Sequence, residues 1–296
     1  MDRATLLTEQ RLPLSIDLDA MDTASIVALM NRQDRTAVDA VAAVRHDVAA
    51  AADLIADRLA RGGRLIYAGA GSSGRLGVLD ASECPPTFRC DPAQIIGIIA
   101  GGDEAMFRAR EGAEDSADDG AKQIAARDVG ENDVVCGIAA GGTTPFVAGA
   151  LAEATKRKAG TIFVTCVEPF PGQPPADVAI HALVGPEVLT GSTRLKAGTA
   201  TKLICNQLTT AAFVKLGKCY GNLMVDLKAT NAKLWDRGAR IVATVCDIAA
   251  EDAMKLMKAA DGHVKVAIVM HERQCDAAAA RARLDAADGY LRTALA

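Results

Sequence analysis

The stretch Arg64-Leu-Ile-Tyr-Ala-Gly-Ala-Gly-Ser-Ser-Gly-Arg-Leu-Gly77 constrains the fold of this chain more than any other. Leu65 to Ala68 form a short apolar run between Gly62-Gly63 and Gly69, the pattern of a buried strand. Gly69, Gly71, Ser72, Ser73 and Gly74 make a small-residue turn, and Leu76, Leu79 and Asp80 begin a helical pattern. Strand, Gly/Ser turn and helix start together aim backbone N–H groups and hydroxyls at a phosphate oxygen. The positive end of the helix dipole adds to that attraction. Gly69-x-Gly71-x-x-Gly74 also matches the dinucleotide fingerprint. The acidic ribose partner expected about 20 residues later falls near Arg89 to Asp91, which does not read as the end of a second strand. Two adjacent serines suit a lone phosphomonoester better, each hydroxyl donating one hydrogen bond. The third reading is a plain structural turn.

The rest of the chain repeats this alternation. Candidate strands are Ile95–Ala100, Asp133–Ala139, Thr161–Cys166 and Val178–Leu183, with helical segments at Ala117–Arg127 and Pro145–Lys158. Strands separated by helices predict an α/β fold, a doubly wound and mostly parallel sheet flanked by helices. Ahead of it, a helix is expected from Thr23, with Thr23 as N-cap, and a second from about Thr36 to Ala60. A further helix is expected from about Lys196 to Leu216. From Ala232 the chain is Ala- and charge-rich with helical periodicity, broken at Asp247, Gly262 and Gly289. Residues 264–270 have strand propensity, but their Ala-rich flanks make them a helix. The expected organisation is an N-terminal helical segment over 1–60, a sugar-phosphate-binding α/β domain over 61–225 and a small C-terminal helical subdomain over 226–296.

Composition closes off other classes. Net charge is −4 without a basic block, which disfavours nucleic acid and anionic membranes as partners. No apolar run approaches the roughly 20 residues of a membrane span. Met1-Asp2-Arg3-Ala4-Thr5 lacks a signal-peptide core, so a cytoplasmic location is expected. The 8 cysteines are scattered without a C-x-x-C pair and read as reduced thiols. The 4 histidines form no zinc motif, so metal-free chemistry is the expectation.

Three further segments carry possible chemistry. Gly141-Gly142-Thr143-Thr144-Pro145 follows the strand at 133–139 and opens a helix, so Gly142 and Thr144 join Gly71, Ser72, Ser73 and Gly74 as candidate binding residues. Both turns fall at the carboxyl ends of strands, where ligands of open α/β sheets bind; an ordinary βα turn with Pro in the first helical turn reads equally well. In Gly185–Lys202, Thr190, Ser192, Thr193, Arg194, Lys196 and Thr199 crowd hydroxyls and cations before an apolar helix, which favours an anionic group over a solvated cap. Two acidic positions follow. Pro85 is expected to end the helix after the Gly/Ser loop, leaving Glu83 at its negative end, where a carboxylate's charge is disfavoured and a proton donor is suited. Glu114 lies in the acidic run Arg110–Asp119, where spacing alone does not separate it from Glu111, Asp115 or Asp118.

Taken together, these motifs resemble the N-acetylmuramic acid 6-phosphate etherases, members of the sugar-isomerase (SIS) superfamily that also includes the glucokinase regulatory protein. The likeness is close in Ala68–Phe88, with its Ser82-Glu-Cys-Pro-Pro86, and in Ile99–Ala105, Arg110–Asp115, Gly185–Lys202 and Asp226–Lys233. Leu7-Thr-Glu-Gln-Arg11 is similar too. The resemblance implies cleavage of the D-lactyl ether of N-acetylmuramic acid 6-phosphate to N-acetylglucosamine 6-phosphate and D-lactate. It further implies a cytoplasmic homodimer that works without a cofactor in cell-wall sugar recycling. By position in the matching motifs, Glu83 and Glu114 correspond to the family's catalytic carboxylates, and Ser192, Thr193 and Lys196 join the serine loop at the phosphate. A non-catalytic sugar-phosphate sensor would need the loop but not both glutamates; a sugar-phosphate isomerase would need C2 deprotonation but no leaving group. One segment departs from the family. Where members usually have Ala-Ala-Ser-Gly-Arg-Thr-Pro-Tyr, this chain has Ala139-Ala-Gly-Gly-Thr-Thr-Pro-Phe146, losing a hydroxyl at Gly141, a basic group at Thr143 and a phenol at Phe146.

Overall fold

Five apolar segments become five strands: β1 (Leu65–Gly69), β2 (Ile95–Ile99), β3 (Val134–Ile138), β4 (Gly160–Thr165) and β5 (Val178–His181). In this computed structural model, which describes residues 6–227, 229 and 231–296, they pair in the order β2-β1-β3-β4-β5, every pair parallel. Met1–Thr5, and the Lys228 and Thr230 positions of the Asp226–Lys233 motif, lie outside the described residues. The register sets Leu65 opposite Ile95 on one side and Val134 on the other. β1, β3 and β4 are buried at every position. A parallel sheet is covered on both faces, so its strands are continuous apolar runs rather than alternating ones.

The covering helices are α1 (Thr23–Ala43), α2 (Arg45–Ala60), α3 (Gly71–Phe88), α4 (Ala117–Ala126), α5 (Pro145–Lys156) and α6 (Lys196–Lys215). A Cβ on Gly137 would stand 2.8 Å from Leu151 of α5, while Leu54 of α2 lies against Gly160, the partner of Val134. Residues 134 and 137 point to opposite faces, so α5 and α2 cover opposite sides of the sheet. On the α5 side the core is Ile66, Ala68, Val135, Phe146, Val147 and Leu151.

Three local expectations are corrected. Asp22, not Thr23, caps α1, its carboxylate accepting from Ser25 N at 2.9 Å. No helix starts at Thr36; α1 runs through it, and the break falls at Val44, between two Ala-rich stretches whose composition gives no stop signal. Pro85 does not end α3, which continues through Pro85 and Pro86 to Phe88. The prolines remove the N–H groups that would bond the carbonyls of Ala81 and Ser82. Arg89 N still bonds Pro85 O at 2.9 Å, and Cys84 and Phe88 are buried, so packing holds the last turn.

Contacts divide the chain into two compact units, Met1–Ser82 with Pro92–Ala211, and Glu83–Asp91 with Ala212–Ala296. The second unit contains α7 (Ala232–Cys246), α8 (Ala250–Ala259), α9 (Val264–Glu272), α10 (Ala277–Ala286) and α11 (Leu291–Ala294). Its breaks fall at Asp247, Gly262 and Gly289, all with positive φ (52°, 74° and 77°). The 264–270 segment is helical, and Val264 to Val269 are buried without interruption. The one charged residue of that run, Lys265, is satisfied by Asp226 (3.2 Å) and the Gly289 carbonyl (2.8 Å), so the helix can lie inside its bundle. Among the described residues no helix is long and apolar enough to cross a membrane.

Candidate active site

Strand order 2-1-3-4-5 reverses direction between β1 and β3, and ligands of such sheets bind beyond the carboxyl ends of the strands at that switch. The two Gly-rich turns noted in the sequence lie there. After β1 the chain turns at Ala70, and α3 opens at Gly71 (φ 51°). Ser72 and Ser73 sit half-buried in the first turn of α3, whose leading N–H groups have no partner within the helix. Gly74 is a close-approach glycine: a Cβ there would stand 2.7 Å from Gly69 O and 2.6 Å from Ile99. Lower down, Tyr67 OH donates to Asp80 (2.9 Å), and Lys202 Nζ reaches the other Asp80 oxygen (3.3 Å), tying α3 to β1 and α6. Burial first, with Cys205 and Asp80 adding to it, holds the Tyr67 phenol well above its ordinary range and therefore neutral.

A cavity of about 260 Å³ opens beside the first turn of α3. Gly71 and Arg75 line one side and Ala109 to Glu114 the other. Arg75 donates to the carbonyls of Ala105 (2.7 Å) and Met106 (3.0 Å), which pins the loop after β2 over the cavity. Glu114 sits in a 3₁₀ turn, Ala113–Asp115, entered through Gly112 at φ 75°. It also lines a second cavity of about 160 Å³ with Leu6, Glu9, Asp115, Gly141, Thr143, Thr144 and Pro145. The exposed Glu114 therefore stands between the two predicted turns.

Gly142 (φ 75°) packs against Phe170, whose ring would stand 2.7 Å from an added Cβ, and Thr144 takes the N-cap position of α5. Gly142 shapes the turn rather than lining the cavity. Phe146 is fully buried in the core. Position 146, where relatives carry a phenol, therefore lies in the core, whereas Gly141 and Thr143 line the cavity shared with Glu114.

Ser192 and Thr193 lie half-buried ahead of α6. Lys196, the first residue of α6, is buried, and its ammonium donates to Gln33 of α1 at 3.0 Å. Burial lowers the Lys196 pKa, against the opposing charges of Glu187 and Asp34. Glu187 was not singled out in the sequence, yet it caps α6: its carboxylate accepts from Lys196 N (3.1 Å) and Ala197 N (3.0 Å). Burial raises its pKa, while those two N–H groups and Lys196 pull it down. Glu83 is exposed on α3, 11 positions beyond Ser72 and so about three turns on along one helix face. It lies inside α3 rather than at its end, so the helix-end reason for its role as an acid lapses. It lines neither cavity.

The Leu7–Arg11 motif supplies two residues that sequence reasoning left out of the site. Thr8 is fully buried, and its hydroxyl has no hydrogen-bond partner among the described residues. It would stand 3.6 Å from a Cβ on Gly141. Glu9 lines the smaller cavity with Glu114, and its carboxylate would stand 3.3 Å from a Cβ on Gly191.

A sequence-family model described as "Glucokinase regulatory protein N-terminal SIS domain" matches residues 47–155. A relative from Synechocystis sp. named N-acetylmuramic acid 6-phosphate etherase is 52% identical over 295 residues, covering 99% of this chain and 96% of its own. A relative of the same name from Mycolicibacterium smegmatis is 49% identical and covers 100% and 99%. Another from Salmonella agona is 50% identical with the same coverage. Among solved structures, a phosphoheptose isomerase from Francisella tularensis aligns at TM-score 0.52 and 21% identity, over 67% of this chain and 98% of its own. That likeness shows a shared fold. Half-identity across the whole length settles kinship: the chain belongs to the N-acetylmuramic acid 6-phosphate etherase family.

Proposed function

We propose that this carbon–oxygen lyase cleaves the D-lactyl ether of N-acetylmuramic acid 6-phosphate, with Glu83 and Glu114 as its catalytic carboxylates. The observation that supports the reading is the cavity that Gly71, at the start of α3, and Glu114 both line; Glu83 and the two serines enter it on their place in the family motif. An anion held at the helix start brings a sugar alongside a carboxylate. In this reading Gly71, Ser72, Ser73 and Gly74 hold the 6-phosphate. Gly142 and Thr144 shape the far side, and the family motif adds Ser192, Thr193 and Lys196 to the phosphate pocket, on the segment whose helix start Glu187 caps.

The chemistry needs two proton carriers. Opening of the sugar ring exposes an aldehyde at C1, which makes the C2 proton acidic. A base removes that proton, the C3–O bond breaks, and an acid protonates the departing lactyl oxygen. Water then adds across the unsaturated aldehyde, its hydroxyl to C3 and a proton to C2. D-lactate and N-acetylglucosamine 6-phosphate result. We assign Glu83 as the acid for lactate and Glu114 as the base at C2 or the group that guides water. The enzyme acts in the cytoplasm as a homodimer.

Hydrogen exchange in heavy water separates the two roles. Glu83→Ala is expected to stop lactate release yet still exchange the C2 proton with solvent. Loss of both would reverse or merge the assignments. Ser73→Ala is expected to raise KM for the phosphorylated sugar, and an unchanged KM would count against the serine loop as phosphate site.

A further inference from the structure

The second unit carries a group of metal-ligating side chains that ether cleavage does not use. Cys246 is the last residue of α7, and His271 and Glu272 are the last two of α9. The Cys246 sulfur, a His271 ring nitrogen and a Glu272 carboxylate oxygen all lie within 4.8 Å of one another. Among the described residues no other such group occurs. Thiolate, imidazole and carboxylate form a set that suits zinc. Around tetrahedral zinc, donor atoms stand about 3.5 Å apart, given metal–ligand bonds of about 2.0–2.3 Å. Closing on the ion therefore takes shifts of about 1 Å. The exposed Glu272 and the half-buried His271 can rotate to supply them, while Cys246 is fixed in the core. The ends of two helices also meet here, and their last-turn carbonyls give partial negative charge that favours a cation.

We propose that Cys246, His271 and Glu272 form a zinc site that clamps the end of α7 to the end of α9, with water in the fourth position. Without metal, burial and then the charge and hydrogen bond of Glu272 push the Cys246 thiol up to about 12, so it donates to the carboxylate as a neutral group. Zinc binding breaks that S–H bond, forms an S–Zn bond and releases the proton to solvent. An ion bound by the folded chain alone adds to its stability in proportion to the logarithm of ion concentration over Kd.

Cobalt(II) reports such a site, because thiolate–cobalt complexes absorb in the near ultraviolet. The full chain, stripped with chelator, is expected to develop a thiolate–cobalt band saturating at one ion per chain. One equivalent of zinc should abolish the band and raise Tm. Cys246→Ser is expected to lose the band. His271→Ala, at a half-exposed position that leaves the core intact, should weaken cobalt binding about 100-fold or more, beyond the 10- to 100-fold that losing an outer partner costs. Cys275→Ser is the control and should keep the band. Absence of a thiolate band from the wild type would overturn the site, as would its persistence at full affinity in His271→Ala or its loss in Cys275→Ser.

Discussion

Gly74 and Gly141 put the serine loop and the second turn to separate tests. A methyl group at Gly74 would press on Gly69 O, a backbone atom that cannot step aside. Gly74→Ala is expected to cost about 1–3 kcal/mol in urea unfolding, the range for overpacking, and to raise KM because the loop must lift from β1. An unchanged stability would mean that α3 stands further from β1 than the structure has it. Gly141 is the opposite case, since the nearest atom to an added Cβ is Thr8 Oγ1 at 3.6 Å. Gly141→Ser is expected to fold within about 0.5 kcal/mol of the parent and to lower KM by returning a hydroxyl to the cavity beside Glu114. A KM that does not move would show that this turn does not contact the substrate.

The start of the sheet is held by one ion pair, which gives the elements a pH signature. Asp133 accepts from Arg64 N (2.8 Å) and Gly130 N (2.9 Å) and meets the Arg64 guanidinium at 2.7 Å, joining the heads of β1 and β3. Burial alone would raise its pKa, but the Arg64 and Gly130 hydrogen bonds and the Arg64 charge outweigh it and hold the carboxyl below the ordinary 3.8. A depressed carboxyl stabilises the fold above its unfolded pKa, and that contribution is lost as pH falls below 3.8 through the folded value. Asp133→Asn is expected to cost about 3 kcal/mol at pH 7, with the difference shrinking as urea unfolding is repeated below pH 3.8. An equal loss at both pH values would show that shape, not charge, does the holding. The strands themselves were legible because a doubly covered parallel sheet leaves unbroken apolar runs between Gly and polar turns. The joint at Val44 was not, because Ala-rich sequence on both sides favours helix equally. Pro85 misled for a related reason: propensity says stop, but Cys84 and Phe88 are buried deeply enough to carry the helix one turn further.

At the scale of the molecule, the sheet brings together what the sequence holds far apart. Gly71, Glu114 and Thr144 come from three different connections, and the strand order sets Glu114 across one cavity from Gly71 and across a second from Thr144. Spacing could show that each turn follows a strand, but it could not select Glu114 from its acidic neighbours. The family motif did so, and the 3₁₀ turn after Gly112 places Glu114 in both cavities. Glu187 and Thr8 were missed because a buried carboxylate capping a helix and a buried hydroxyl both look like loop residues until tertiary contacts are known. Lys196 was expected at the phosphate, and in the structure its ammonium donates to Gln33. Release of D-lactate by the purified full chain from N-acetylmuramic acid 6-phosphate, measured beside the same sugar without its phosphate, tests the account most directly. The expected result is lactate in equal amount to N-acetylglucosamine 6-phosphate from the first and almost none from the second. Folded protein that binds the phosphorylated sugar but releases no lactate would contradict it.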